Sequence, residues 1–216
     1  MNFDTAVQAV QSGDAKQLAE ILKARPDLAG GRTAQGVSLY MVAAYHHQPA
    51  LMALIRTHLK ILDSFEATAG GEFDELKRCL ESTPGNLNGW SPDGFNLPQL
   101  AAFFDQPEAL RELVQRGADI SIPSRNPMRI HAVNAAAASG SFSCLVILLQ
   151  AGADRDAAQQ LGITPLMSAA HRGDQQMCDV LSEHGADSSL RNDDGKTAAD
   201  FAQEAGFTDI AAMLSH

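Results

Sequence analysis

Seven histidines, three cysteines and 26 carboxylates are the side chains of this 216-residue chain from which acid–base, metal or nucleophilic chemistry would be built. Their spacing argues against all three. Among His46, His47, His131 and His171 no two stand at the i, i+4 separation that puts two imidazoles on one helix face, so no metal is expected. The carboxylates scatter over turns and helix starts, as in Asp174, Asp187, Asp193 and Asp194, where they cap helices or meet solvent. The chain has no GxSxG, no phosphate loop, no HExxH and no glycine-rich dinucleotide turn, so no catalytic residue and no cofactor are expected. Cys79, Cys144 and Cys178 form no CxxC, and three thiols cannot all pair within one chain, so buried free thiols in a reducing cytosol are expected. What the side chains do offer is contact chemistry. Aromatic, apolar and cationic groups of the kind that anchor interfaces stand at Tyr45, His46, Trp90, Phe95, Phe103, Phe104, Met128, Ile130, His171 and Arg172. Trp90 is the only tryptophan.

The elements that must carry these residues are legible from one regular spacing. Ala9, Ala43, Ala67, Ala101, Ala136, Ala169 and Ala202 recur at gaps of 34, 24, 34, 35, 33 and 33. Four places after each comes a turn residue: Gly13, His47, Gly71, Asp105, Gly140, Gly173 and Gly206. Five places before, a helix start needs a side-chain oxygen for its unpaired amides, and Asp4, Ser38, Asn96, Thr164 and Thr197 supply one. Leu62, flanked by Asp63 and Ser64, and His131 are the exceptions, with His131 read as a cap of its helix. A small residue in the anchor row lets neighbouring helices approach closely.

A second helix follows each turn. Pro49 and Pro107 stand at its first position, where a missing amide hydrogen costs nothing. Its apolar face recurs at helical spacing as Leu18, Ile21 and Leu22, then Leu110, Leu113 and Val114, then Leu145, Leu148 and Leu149. It ends at Gly117, Gly152 and Gly185, each opening Gly-Ala-Asp, in a left-handed conformation that glycine adopts cheaply, and His184 places a cation beside the last of these ends. Pro26 and Pro84 stand one place later in the first and third periods.

The most regular stretch, Gly162 to Asp194, holds a Thr164-Pro165-Leu166 helix start, the Ala169-Ala170 pair, the Gly173 turn and the Gly185-Ala186-Asp187 terminator in one period. It resembles an ankyrin repeat. The resemblance implies an all-α ankyrin-repeat solenoid of about seven stacked helix-turn-helix units with short hairpin fingers, one domain over 1–216. Its units run about 1–34, 35–58, 59–91, 92–126, 127–159, 160–192 and 193–216. The gap of 24 removes about ten residues after Leu59 and predicts a notch in the row of fingers; the gap of 35 lengthens the fourth finger near Ser124 to Met128. The last period stops at Leu214-Ser215-His216 without a finger, as an end cap would. No period carries Thr-Pro-Leu-His in full: Met167 and Asn134 stand where the family has its histidine, which predicts loss of the cross-turn hydrogen bonds and modest stability.

Ankyrin proteins share a fold and differ in partner, and the resemblance implies binding through finger tips and the exposed side of the first helices. That side is sampled two and three places after each anchor, where Tyr45-His46, Phe103-Phe104 and His171-Arg172 alternate with small or polar pairs. Trp90, Phe95, Met128, Ile130, Leu161 and Ile163 fall in finger slots, although Trp90 and Phe95 can equally fold back over a finger and one of the two phenylalanines can pack between helices. The expected function is a non-enzymatic adaptor or inhibitor that binds a protein partner. The alternatives are a small-ligand or enzymatic site around His46, His171 and Arg172, and a self-associating module. Net charge is −10, with −3 through residue 100 and −7 beyond, which repels nucleic acid and acidic membranes and favours a partner with a basic surface. The start lacks a basic-then-apolar leader, and no apolar run approaches the roughly 18 residues of a membrane span. A cytoplasmic monomer starting at Met1 is expected, similar to small bacterial ankyrin proteins that act beside an adjacent enzyme or toxin.

Overall fold

A computed structural model describes residues 2–215, leaving Met1 and His216 outside the described residues. Seven helical hairpins follow in order. They are α1 (Phe3–Gln11) with α2 (Ala15–Ala24), α3 (Leu39–Tyr45) with α4 (Pro49–Arg56), α5 (Ser64–Gly70) with α6 (Phe73–Ser82), and α7 (Leu97–Phe103) with α8 (Pro107–Gln115). Then come α9 (Ala132–Ser139) with α10 (Phe142–Gln150), α11 (Pro165–Arg172) with α12 (Gln175–Glu183), and α13 (Ala198–Glu204) with α14 (Thr208–Leu214). The only β pairing among the described residues is one isolated antiparallel bridge, Arg32 to Ser38. The fingers are therefore loops held by turns and side chains. The hairpins gather into two compact units, Met1–Asn86 with Trp90–Asp93, and Leu87–Gly89 with Gly94–His216.

All seven anchor alanines are at most 1% exposed, so the spacing read from the sequence is the packing row of the first helices. Every turn slot four places later has positive φ: 72° at Gly13, 69° at Gly71, 82° at Gly140, 72° at Gly173 and 89° at Gly206, but also 51° at His47 and 52° at Asp105. Those two carry a Cβ into the left-handed region, where L residues are disfavoured. The second helices bury Leu18, Ile21, Leu22, Leu110, Leu113, Leu145 and Leu148 at 0–2% exposure, and losing any one to alanine costs about 2–5 kcal/mol. Val114 is half-buried, on the margin of that face.

Helix starts agree with the sequence at Ser38, Asn96, Thr164 and Thr197, each of whose side chains accepts a first-turn amide. Two expectations are corrected. The cap of α1 is Asn2, whose Oδ1 accepts from the Thr5 amide at 3.0 Å, while Asp4 sits inside the first turn, so the helix begins two residues earlier than expected. His131 takes the cap position of α9 but its ring completes no capping bond, and its Nδ1 is buried without a partner.

Within the first unit, no finger follows α4, as the short gap requires. The flanking fingers close the space. Gly36 lies so near Pro92 that a Cβ there would come within 2.9 Å. Arg32 donates to Asp63 Oδ2 at 3.0 Å and stands 3.7 Å from Glu66 Oε1, tying the first finger to α5. Pro26 and Pro84 open short 3-10 turns, Pro26–Gly30 and Pro84–Asn88, in place of the Gly-Ala-Asp ending.

Within the second unit, α7, α9, α11 and α13 pack in series, and the fingers are laddered through their backbones. Arg125 donates to Gly94 O at 2.8 Å, Gln160 to Met128 O at 2.9 Å and Asp193 to Leu161 O at 3.0 Å. The expected loss of the family histidine's bonds is corrected at Asn134, whereas Met167 only accepts the local Thr164 amide at its Sδ at 3.4 Å. Gln99 Nε2 donates to Ile122 O at 2.9 Å and Asn134 Nδ2 to Ala157 O at 2.8 Å, each carboxamide reaching from a first helix to the finger after it. Both are at most 1% exposed, so these bonds form where water cannot substitute for them.

Candidate functional site

The positions two and three places after each anchor are the last turn of each first helix, which fixes how far their side chains stand from the packed row. In the first unit, Tyr45 ends α3 and is half-buried. Its hydroxyl donates to Asp93 Oδ2 at 2.6 Å, and Asp93 Oδ1 accepts from Ser91 Oγ at 2.5 Å. Burial, reinforced by the Asp93 carboxylate, raises the Tyr45 phenol above its ordinary pKa and keeps it a neutral donor. Tyr45 is thus a tie between α3 and the third finger. His46 follows as the C-cap of α3 and is exposed. Trp90 is half-buried.

In the second unit, Phe103 and Phe104 meet edge to face, with centroids 5.0 Å apart at 87°, and both are half-buried. Phe95 and Ile130 are half-buried as well. Met128, at the tip of the lengthened finger, is 50% exposed. His171 is exposed and sets its ring edge against Phe201 at 6.1 Å. Arg172 is exposed, yet its Nη1 donates to Ala138 O at 3.2 Å and its guanidinium fills the space over Gly140 that any Cβ would occupy. Arg172 therefore bridges two repeats while presenting its charge to solvent.

Leu161, in a finger slot, is 58% exposed, and two exposed apolar side chains fall outside the positions expected from sequence: Ile61 at 66% and Phe207 at 38%. Ile61 stands on the bare stretch where the finger is missing, a signal available from the short gap. Phe207 leans over Gly173, against which its ring is in contact.

A cleft of about 180 Å³ in the second unit is lined by Ile120, Ser121, His131, Asp154 and Ala157 among others. One slot of the repeat differs beside it. Asn88 Oδ1 accepts from the Asp119 amide and Asp156 Oδ1 from the Asp187 amide, each at 2.9 Å, but in the matching slot Ser121 turns its hydroxyl to Asp119 instead. Among the described residues no group of three or more His, Cys, Asp or Glu side chains could hold a metal ion. Cys79, Cys144 and Cys178 are free and buried, and burial pushes the Cys144 and Cys178 thiols up to about 12, far from nucleophilic readiness.

Comparison with known proteins follows the same pattern. A family model described as ankyrin repeats in three copies matches residues 133–216. Human ankyrin repeat domain-containing protein 37 is 35% identical over 108 residues, which is 50% of this chain and 68% of that protein. The human espin-like protein is 47% identical over 53 residues, 24% of this chain and 5% of its own length. Mouse protein phosphatase 1 regulatory subunit 12A is 40% identical over 73 residues, 34% of this chain and 7% of that subunit. These relatives are animal proteins.

Proposed function

Because the chain belongs to the ankyrin repeat family, we propose that it is a non-enzymatic adaptor or inhibitor that binds a partner protein through the exposed side of its first helices and its finger tips. The observations that carry this reading are exposed His46 beside half-buried Tyr45 in the first unit and, in the second unit, exposed Met128, His171 and Arg172 together with half-buried Phe103 and Phe104, side chains of the kind that anchor interfaces. A regulatory role toward an enzyme fits the likeness to a phosphatase regulatory subunit. The net charge of −10 supports a partner with a basic surface. Three free buried thiols support a reducing, cytoplasmic setting, and no helix among the described residues is long and apolar enough to cross a membrane. Few lysines and many alanines and glutamines favour a bacterial source. We infer a monomer, which light scattering would report as about 23 kDa over a wide concentration range.

The test uses partner captured by affinity purification from the native host and then reconstituted in purified form. His46→Asp and His171→Asp, made in separate chains, should each lower its retention at least tenfold while the circular dichroism spectrum stays that of the parent. Unchanged retention by both variants would refute the assignment of binding to the last turns of the first helices.

A further inference from the structure

In the second unit the three Gly-Ala-Asp endings turn back on themselves in the same way. Asp119 Oδ1 accepts the Ser121 amide at 2.9 Å, Asp154 Oδ1 the Asp156 amide at 3.0 Å and Asp187 Oδ1 the Ser189 amide at 2.9 Å. What differs is the bond from one ending to the next. The Asp119 amide donates to the Asn88 carboxamide and the Asp187 amide to the Asp156 carboxylate, each at 2.9 Å. Among the described residues the Asp154 amide finds no acceptor, and Ser121, in the place of Asp156, has its hydroxyl on Asp119 Oδ1 at 2.6 Å.

Asp154 also lines the cleft of about 180 Å³, which is larger than the roughly 150 Å³ cavity that takes a benzene ring. Ile120, Val133 and Ala157 make its wall apolar, and Ser121, His131 and Asp154 are its polar members. Two of these hold unpaired atoms: His131 Nδ1 is buried without a partner, and the Asp156 amide takes only Oδ1 of the Asp154 carboxylate. Among the described residues no Lys or Arg lines the cleft, and Arg155, adjacent in sequence, is turned onto Gly185 O at 2.9 Å.

These groups select among small polar ligands. A carboxylate could accept from the Asp154 amide, but it has no hydrogen to donate and meets the Asp154 carboxylate as a like charge. An ammonium or guanidinium group donates but has no atom that accepts. A hydroxyl brings one donor where two acceptors stand. A primary carboxamide brings an acceptor and two donors, and a carboxamide is what satisfies the Asp119 amide one ending earlier.

We propose that this cleft binds a primary carboxamide carried on a small apolar body. The carboxamide oxygen accepts from the Asp154 amide, its N–H groups turn to His131 and Asp154 Oδ2, and the body lies against Ile120, Val133 and Ala157. The site lies apart from the last turns of the first helices, so it stands or falls independently of the protein-binding reading.

Nuclear magnetic resonance titration of the nitrogen-15-labelled full chain with benzamide, benzoate and benzamidine tests this, since the three share a shape and differ in the end group. Benzamide should shift the Asp154 amide and its neighbours in the cleft saturably, with a Kd of roughly millimolar order for so small a ligand. Benzoate and benzamidine should bind at least tenfold more weakly. Ser121→Asn places a carboxamide of the chain's own in this slot, so benzamide affinity should fall at least tenfold while Tm is held or raised. Acetyl-glutamine methylamide, in competition with benzamide, identifies the source of the group: tighter binding of the blocked glutamine assigns it to a side chain of a partner, weaker binding to a free amide. Equal affinity for all three benzene derivatives, shifts that never saturate, shifts that leave the Asp154 amide unmoved, or a Ser121→Asn chain that binds benzamide as the parent does would each overturn the site.

Discussion

Asn134 is the side chain whose removal the structure prices most directly. It is fully buried. Its Nδ2 donates to Ala157 O at 2.8 Å and, at 3.4 Å, to Ile163 O, while its Oδ1 accepts from the His131 amide at 3.3 Å. Asn134→Ala strands the Ala157 carbonyl in a buried setting and leaves two longer bonds unmade. An unpaired buried polar group costs about 1–3 kcal/mol; with the short bond counted in full and the long ones in part, the loss comes to about 2–4 kcal/mol. With a urea dependence of about 1–3 kcal/mol per molar, the midpoint of unfolding followed by far-ultraviolet circular dichroism should fall by roughly 1–2 M. Asn134→His keeps a donor at this slot, as the family signature does, and should stay within about 1 kcal/mol of the parent. Asn134→Asp should be worse than alanine at neutral pH, since it aims a carboxylate at a carbonyl. A loss under about 0.5 kcal/mol for Asn134→Ala, or a histidine variant as unstable as the alanine one, would refute the view that this bond holds the first helix to its finger.

Three further outcomes are expected. His47→Gly and Asp105→Gly each remove a Cβ from a left-handed turn slot and should raise stability by about 0.5–1 kcal/mol in thermal unfolding, whereas Gly173→Ala should lower it, because the new methyl meets the Phe207 ring. Burial is the main cause that holds the His131 pKa below 6.5, opposed by Asn134 and Asp154 and aided by Arg129. The folded state therefore binds its proton less readily than the unfolded chain. Its share of stability is present above about pH 6.5 and is lost as pH falls through the lowered value. His131→Asn should flatten the dependence of the urea midpoint between pH 7.5 and 5.5, and an unchanged slope would sink this reading. Cys144 and Cys178, with thiols near 12 and no exposure, should resist iodoacetamide at pH 8 in the native chain and react only on unfolding, as mass spectrometry would count; prompt labelling would contradict their burial.

What the sequence by itself determined is the repeat. The alanine row, the turn slot, the glycine helix ends and the prolines at Pro49 and Pro107 were all legible, because each answers to a local requirement of backbone or close approach that one residue type satisfies. The same logic located Tyr45, His46, Phe103, Phe104, His171 and Arg172 on the last turns of first helices. The tertiary structure alone decided what those side chains do there. Tyr45 is drawn to Asp93, a partner 48 residues away, and Arg172 to the carbonyl of Ala138, 34 residues away. Gln99 and Asn134 take over the bonds that the missing histidines would have made. The space left by the absent finger closes through Gly36 and Pro92. Each of these depends on the reach of a side chain or loop across a repeat boundary, and periodicity along the chain carries no information about distance between periods in space.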